Sequence, residues 1–171
     1  MLHQFKNINT ILLDVDGVLT DGTLLVMPGG LMVRRMNIKD GYAIQLAVKK
    51  GYHVAIISGG DSPEVKDRLL KLGVTDVYMK VQDKLSVLQE YLVLNGLDLA
   101  NTAYMGDDMP DYEVMKEVGI AACPADAATE IKELSAYVSP LTGGAGCVRD
   151  LIEKIMRVRG DWNEDTTVRS Q

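Results

Sequence analysis

The chain has 171 residues, 47% hydrophobic and 25% charged, with 18 lysines and arginines against 24 aspartates and glutamates and a net charge of −6. Length and composition predict one folded domain and exclude a disordered or fibrous chain, and the negative balance opposes the counterion release on which nucleic-acid binding relies. Cys123 and Cys147 make neither a disulfide framework nor a zinc site, the start of the chain carries no secretory pattern, and no apolar run approaches the roughly 18 residues of a membrane helix, so a cytoplasmic protein that binds neither nucleic acid nor membrane is expected.

In chain order, Thr10 to Val15 reads as a short buried strand. Gly22 to Asn37 then holds two apolar runs, Thr23 to Met27 and Leu31 to Met36, around Pro28, Gly29 and Gly30, the pattern of a β-hairpin. From there helices and strands alternate: helix Asp40 to Lys50, strand Tyr52 to Ile57, helix Ser62 to Leu72 with Pro63 in its first turn, strand Asp76 to Met79, helix Lys84 to Asn95, and strand Asn101 to Met105. Helix Pro110 to Glu117, strand Gly119 to Ala122, helix Ala125 to Leu134, strand Ala136 to Val138 and helix Cys147 to Val158 complete the series. This alternation predicts an α/β domain over residues 1–159, a doubly wound parallel sheet with one projecting hairpin over about 22–37. The polar stretch 160–171 has little to bury and is expected to be disordered. The hairpin is apolar on both arms, so it packs either on its own domain or on another subunit.

In open parallel sheets ligands bind outside the carboxyl ends of the strands. Here those ends read Asp14-Val15-Asp16-Gly17, Ser58-Gly59-Gly60 and Gly106-Asp107-Asp108, and Lys84 opens an intervening helix. Three acids converging on one edge would repel one another unless a divalent cation neutralised them, and hard oxygen ligands favour magnesium. With a hydroxyl and an ammonium added, the edge becomes a receptor for a phosphoryl group. Asp14 and Asp16 alternate along a strand, so their carboxylates face one site only if the chain bends, which Gly17 permits. Asp14 as nucleophile would form an aspartyl phosphate, and Asp16 could protonate the leaving oxygen and later activate water.

Asp14-Val15-Asp16-Gly17-Val18-Leu19-Thr20, Ser58-Gly59, Lys84 and Gly106-Asp107-Asp108 resemble, in order, the four motifs of the haloacid dehalogenase superfamily. The resemblance implies that Asp14 is the nucleophile, Asp16 the general acid and base, Ser58 the hydroxyl that holds the phosphate and Lys84 the neutralising charge. It further implies that Asp14, Asp107 and the Asp16 backbone carbonyl hold magnesium and that Asp108 supports them from behind. Asp111 reads as an exposed acid at a helix start. The stretches between motifs are used up by single elements, which leaves no room for a cap domain and matches the capless branch.

Met36-Asn37-Ile38-Lys39-Asp40-Gly41-Tyr42 and Gly143-Gly144-Ala145-Gly146 resemble segments of the capless phosphatases that act on phosphorylated keto-sugar acids. The implied substrate is 3-deoxy-D-manno-octulosonate 8-phosphate, for lipopolysaccharide sugar synthesis, with a nonulosonate 9-phosphate or another sugar phosphate as the alternative. Gly60 and Ala145 stand where many such relatives carry bulkier residues. Substrate contacts are expected from Thr20, Gly59, Gly60, Lys39, Arg68 and Lys71, with Arg68 and Lys71 three apart on one helix and facing similarly. Of Arg34 and Arg35, one is expected to reach an anionic substrate and the other solvent, or both to be ordinary exposed charges. The hairpin and the glycine segment are read as mobile elements able to approach a neighbour's site in a homotetramer. A receiver domain, which combines similar residue types, is excluded by order: its phosphorylated aspartate lies on a middle strand and its lysine comes last.

Overall fold

The computed structural model describes residues 2–163 and 165–168. After a short helix α1 (Leu2–Phe5), the chain forms β1 (Thr10–Leu13), β2 (Leu25–Val26), β3 (Met32–Val33), α2 (Ile38–Lys49), β4 (His53–Ile57), α3 (Pro63–Lys71), β5 (Asp76–Tyr78) and α4 (Lys84–Asn95). Then follow β6 (Thr102–Met105), α5 (Tyr112–Glu117), β7 (Ile120–Cys123), α6 (Thr129–Leu134), β8 (Tyr137–Val138) and α7 (Cys147–Arg159). Six strands lie in one parallel sheet in the order β5-β4-β1-β6-β7-β8, and β2 and β3 form a separate antiparallel pair. The doubly wound α/β fold expected from the alternation of elements is the fold observed, without a cap domain.

Each central strand divides its side chains between two cores because successive residues face opposite sides of a sheet. Ile11, Leu13, Val54, Ile56, Ala103 and Met105 pack under α2, α3 and α7, and Leu12, Ala55, Ile57 and Tyr104 pack under α4, α5 and α6. With both faces covered, the strand edge at the carboxyl ends is the open surface left to the chemistry. Ser62 caps α3 by accepting from Val65 N, Asp83 caps α4 by accepting from Ser86 N, and Gly96 ends α4 in the left-handed region. These local caps explain why sequence reading located those helices to within a residue or two.

The expected hairpin is present, between β1 and α2. The hairpin is a ladder of only two residues per arm, followed by a single bridge between Thr20 and Met36. Leu25, Val26, Met32 and Val33 are exposed, because neither face of so short a ladder is covered by the sheet or its helices. Beyond residue 159, several described residues make contacts with the body. Trp162 meets the Tyr42 ring edge-on, the Arg149 guanidinium lies 5.5 Å from both ring centroids, and Asp161 accepts a 2.6 Å hydrogen bond from Tyr52. An aromatic ring and two ion-pairing acids gave this stretch more to bury than its polarity indicated. Residues 164 and 169–171 lie outside the described residues.

Candidate active site

The strand β1 ends at Leu13; Asp14 continues extended, its N–H donating to Met105 O at 3.0 Å and its Oδ1 accepting from Val15 N at 2.7 Å. Gly17 follows at φ +85°, and a methyl group there would overlap the Asp107 carboxylate, so glycine is required twice, by conformation and by space. The bend sets Asp14 and Asp16 on one cleft of about 480 Å³, where Ser58, Gly59, Gly60, Lys84, Asp107 and Asp108 join them. The residues expected at the catalytic edge thus do converge, drawn from four turns at the carboxyl side of one sheet.

Lys84 sits at the centre of the charge arrangement. Its side chain is 5% exposed, and its Nζ lies 3.1 Å from Asp14 Oδ1 and 2.7 Å from Asp111 Oδ1. Burial works against the ammonium, yet the carboxylates of Asp14 and Asp111 raise its pKa above the ordinary lysine value. Burial also raises Asp14 to about 7, aided by the Asp111 charge and opposed by Lys84 and the Val15 N–H. Asp107 is likewise pushed up to about 7, by burial first and by the Asp14, Asp111 and Asp108 charges after it. Carboxylate oxygens of Asp14, Asp107 and Asp111 approach within 4.8 Å of one another. Two desolvated carboxylates that resist ionising side by side are a fitting oxygen donor set for a hard divalent cation.

Asp111 is a correction. It was expected to be exposed, but it is buried, with Oδ1 accepting from Lys84 Nζ and from Tyr104 Oη at 2.7 Å and Oδ2 accepting from Asp107 N at 3.1 Å. Its oxygens therefore hold Lys84 and the Asp107 turn in place, which leaves Asp14 and Asp107 as the carboxylates better able to face a cation. The sequence signal was available: an acid four residues beyond Asp107, at the first helical turn, faces back over the turn that precedes it. Asp108 is exposed and accepts from Met109 N at 2.8 Å, so it shapes the turn that orients Asp111.

The expected substrate residues separate into groups. Gly59 and Gly60 line the cleft, but Thr20 is fully buried, and its hydroxyl accepts from Gly17 N and Gly22 N at 3.2 Å, which braces the catalytic loop from beneath. Arg68 and Lys71 do not face similarly. Arg68 lines a groove of about 370 Å³ between α3 and the hairpin, whereas Lys71 lines a different depression beside Lys49 and Thr167. Three residues fall about 60° short of a full helical turn and rise about 4.5 Å along the axis, and this offset sets the two side chains against different neighbours. Lys39 is exposed on the first turn of α2 and borders neither the cleft nor the groove.

The segment 143–146, expected to reach for a neighbour, packs on its own chain. Gly144 N donates to Val18 O at 3.0 Å, Gly143 N to Asp126 Oδ1 at 2.9 Å, and a side chain at 143 would collide with the Gly17 carbonyl. Its glycines serve close backbone approach behind the catalytic loop. The two hairpin arginines divide as expected: Arg34 is buried against Asp16, whereas Arg35 pairs with Asp21 but leaves its side chain 86% exposed to solvent.

A deep acidic cleft with an embedded lysine, at the carboxyl edge of a capless doubly wound sheet, defines the class. This chain belongs to the haloacid dehalogenase-like hydrolases, a family whose pattern matches residues 71–149, and it is homologous to phosphoric monoester hydrolases among them. It is 35% identical over 164 residues to 3-deoxy-D-manno-octulosonate 8-phosphate phosphatase KdsC of Escherichia coli K12, covering 96% of this chain and 87% of that one. The solved phosphatase of that name from Yersinia pestis superposes with a TM-score of 0.91 at 32% identity, over 94% of this chain and 86% of the other. The Moraxella catarrhalis enzyme, solved with magnesium, phosphate and KDO, gives 0.90 at 30% identity, over 94% and 92%.

Proposed function

We propose that this protein is a magnesium-dependent phosphatase that hydrolyses 3-deoxy-D-manno-octulosonate 8-phosphate through an aspartyl phosphate on Asp14. The observation that carries the reading is the buried Lys84 bridging Asp14 and Asp111 in a cleft that also holds Asp107, Ser58 and Asp16. The relatives named above act on that ester, and the Moraxella enzyme binds magnesium, phosphate and KDO. Asp14, Asp107 and the Asp16 backbone carbonyl would hold the magnesium ion, which when bound supplies charge neutralisation for the carboxylates and the phosphoryl oxygens.

The steps balance on the chain's own groups. An Asp14 carboxylate oxygen bonds to phosphorus while the bond from phosphorus to the sugar oxygen breaks, and that oxygen takes the proton of Asp16. Water then attacks the aspartyl phosphate, gives a proton to Asp16, and releases phosphate as the bond to Asp14 breaks. Ser58, buried at the end of β4, and Lys84 hold the phosphoryl oxygens during both transfers. Arg68 supplies the anchor for the substrate carboxylate: its Nε and Nη2 are buried in the groove beside the cleft and have no hydrogen-bond partner among the described residues. A buried guanidinium without a partner is costly unless an anion completes it.

We further propose a cytoplasmic homotetramer. The exposed apolar hairpin supports self-association, and the two free, buried cysteines fit a reducing compartment. No described helix is long and apolar enough to cross a membrane.

The test is steady-state turnover with magnesium across sugar-acid phosphates and neutral hexose phosphates. The expected result is a preference for 3-deoxy-D-manno-octulosonate 8-phosphate over glucose 6-phosphate, reversible loss of turnover on chelation, and a selective loss with Arg68→Ala on the acidic substrate. Equal efficiency with glucose 6-phosphate would remove the carboxylate anchor, and a nonulosonate 9-phosphate preferred above both would move the substrate to nine carbons.

A further inference from the structure

Gly60 is not glycine for conformational reasons. Its φ lies outside the left-handed region occupied by Gly17, Gly22 and eight other glycines, so the backbone there accepts any residue. Space is what crowds a side chain: a Cβ at 60 would stand 2.9 Å from Asp16 Oδ2, 3.0 Å from Arg34 Nη2 and 3.5 Å from Ser58 Oγ, so those side-chain ends would have to move to admit it. The volume beside the phosphate-holding hydroxyl is already taken by a guanidinium that arrives from the hairpin.

Arg34 departs from the rest of its arm. Met32 and Val33 are exposed, but the Arg34 side chain is 5% exposed and folds back onto Asp16 at the edge of the cleft. Its Nε donates to Asp16 Oδ1 at 2.6 Å and its Nη2 to Asp16 Oδ2 at 3.1 Å, a fork that engages both oxygens. It also borders the groove that contains Arg68, and so stands where the cleft and the groove meet. If Asp14 attacks phosphorus, the leaving oxygen faces Asp16, and the group beside Asp16 is beside the ester linkage. While the fork is closed, Asp16 has both oxygens engaged. An incoming anionic ester offers the guanidinium an alternative partner of equal geometry and greater charge.

We infer that Arg34 is a substrate-binding catalytic residue delivered by the hairpin through the gap at Gly60, exchanging Asp16 for the phosphoryl end of the substrate, and that positions 34 and 60 are a coupled pair sharing space for one guanidinium. This rests on the phosphatase reading above. It assigns a function to the hairpin within its own chain, and it makes the small residue at 60 part of substrate recognition.

The test uses the full chain with magnesium and two esters, 3-deoxy-D-manno-octulosonate 8-phosphate and 4-nitrophenyl phosphate, for the wild type, Arg34→Ala, Arg34→Lys, Gly60→Arg and the double variant Arg34→Ala with Gly60→Arg. Loss of one charge-assisted fork predicts that Arg34→Ala lowers kcat/KM for the sugar acid on the order of 10- to 100-fold, with a rise in KM contributing, and that Arg34→Lys recovers part of it. Gly60→Arg alone crowds two guanidinia and lowers activity. In the Arg34→Ala background the same substitution restores roughly tenfold, which a merely structural arginine would not allow. A thermal unfolding midpoint for each variant identifies misfolding, and a misfolded Arg34→Ala leaves Arg34→Lys and the double variant to decide. Wild-type turnover with Arg34→Ala within about twofold of it on both esters, or no restoration from position 60, overturns the inference and leaves the phosphatase reading intact. No wild-type turnover on either ester overturns both.

Discussion

The two stretches that follow β1 use a turn in opposite ways. From Asp14 to Gly22 the chain is built inward: Thr20 accepts two backbone amides beneath the loop, Gly17 lies against Asp107, and the 143–146 segment closes the back. From residue 23 to 36 it is built outward, with Leu25 62% and Val26 68% exposed on a ladder of two residues per arm. The first stretch fixes charged groups whose value to the reaction depends on ångström placement, so glycines and buried hydroxyls hold it from several sides. The second leaves its apolar surface unsatisfied within the chain and sends back one side chain, Arg34. Rigidity at the site and unused surface at the hairpin are therefore separate products of one short segment.

The comparison breaks most completely at Asp14. Asp14→Asn is expected to abolish turnover by roughly four orders of magnitude while the protein stays folded, since it removes a carboxylate that burial already disfavours. Rate measurement and circular dichroism on the same preparation check both halves. Asp111→Asn should come next, because the buried Lys84 ammonium loses the negative charge of its 2.7 Å partner and an amide nitrogen replaces the oxygen that accepts from Asp107 N. A destabilisation of about 3 kcal/mol, read by denaturant unfolding, should accompany a fall in kcat of roughly 10²-fold.

Gly17→Ala tests the inward packing itself. A Cβ there overlaps the Asp107 carboxylate and requires a positive φ, so stability should fall by about 2 kcal/mol and turnover with it. On the hairpin the expectation reverses. Leu25→Ser combined with Val26→Thr should change protomer unfolding at low protein concentration by less than about 0.5 kcal/mol, yet lower the particle mass seen by light scattering. An unchanged mass would show that the exposed arms are not what joins the subunits.

The test farthest from the site concerns a buried acid on α2. Asp40 is buried, accepts from Arg149 N at 2.7 Å through Oδ1, and has no partner for Oδ2 among the described residues. Burial raises its pKa from 3.8 to about 6, against the opposing Arg149 N–H and charge. Between those values the native chain binds more protons than the unfolded one, so this group's contribution to stability is lost as pH rises through the window. The difference between wild type and Asp40→Asn in chemical unfolding should follow that trend, by about 3 kcal/mol at most.

What the sequence determined by itself was whatever depends on neighbours along the chain. The alternation of apolar runs with helical periodicity set the sheet and its layers, and the turn residues after each run placed Asp14, Asp16, Ser58, Lys84 and Asp107 on one edge, because parallel strands end on the same side. Caps at Ser62, Asp83 and Gly96 fixed helix ends for the same local reason. The tertiary structure alone decided which polar side chain meets which. Asp111 turned inward to hold Lys84, Thr20 went under the loop, Arg68 and Lys71 parted around α3, and Arg34 crossed 18 positions to Asp16 through the space Gly60 leaves. Those outcomes depend on rotamers and on the distance between groups far apart in the chain, which no local periodicity encodes. The same holds for Trp162, whose ring found Tyr42 and Arg149 only once α2 and α7 had packed side by side.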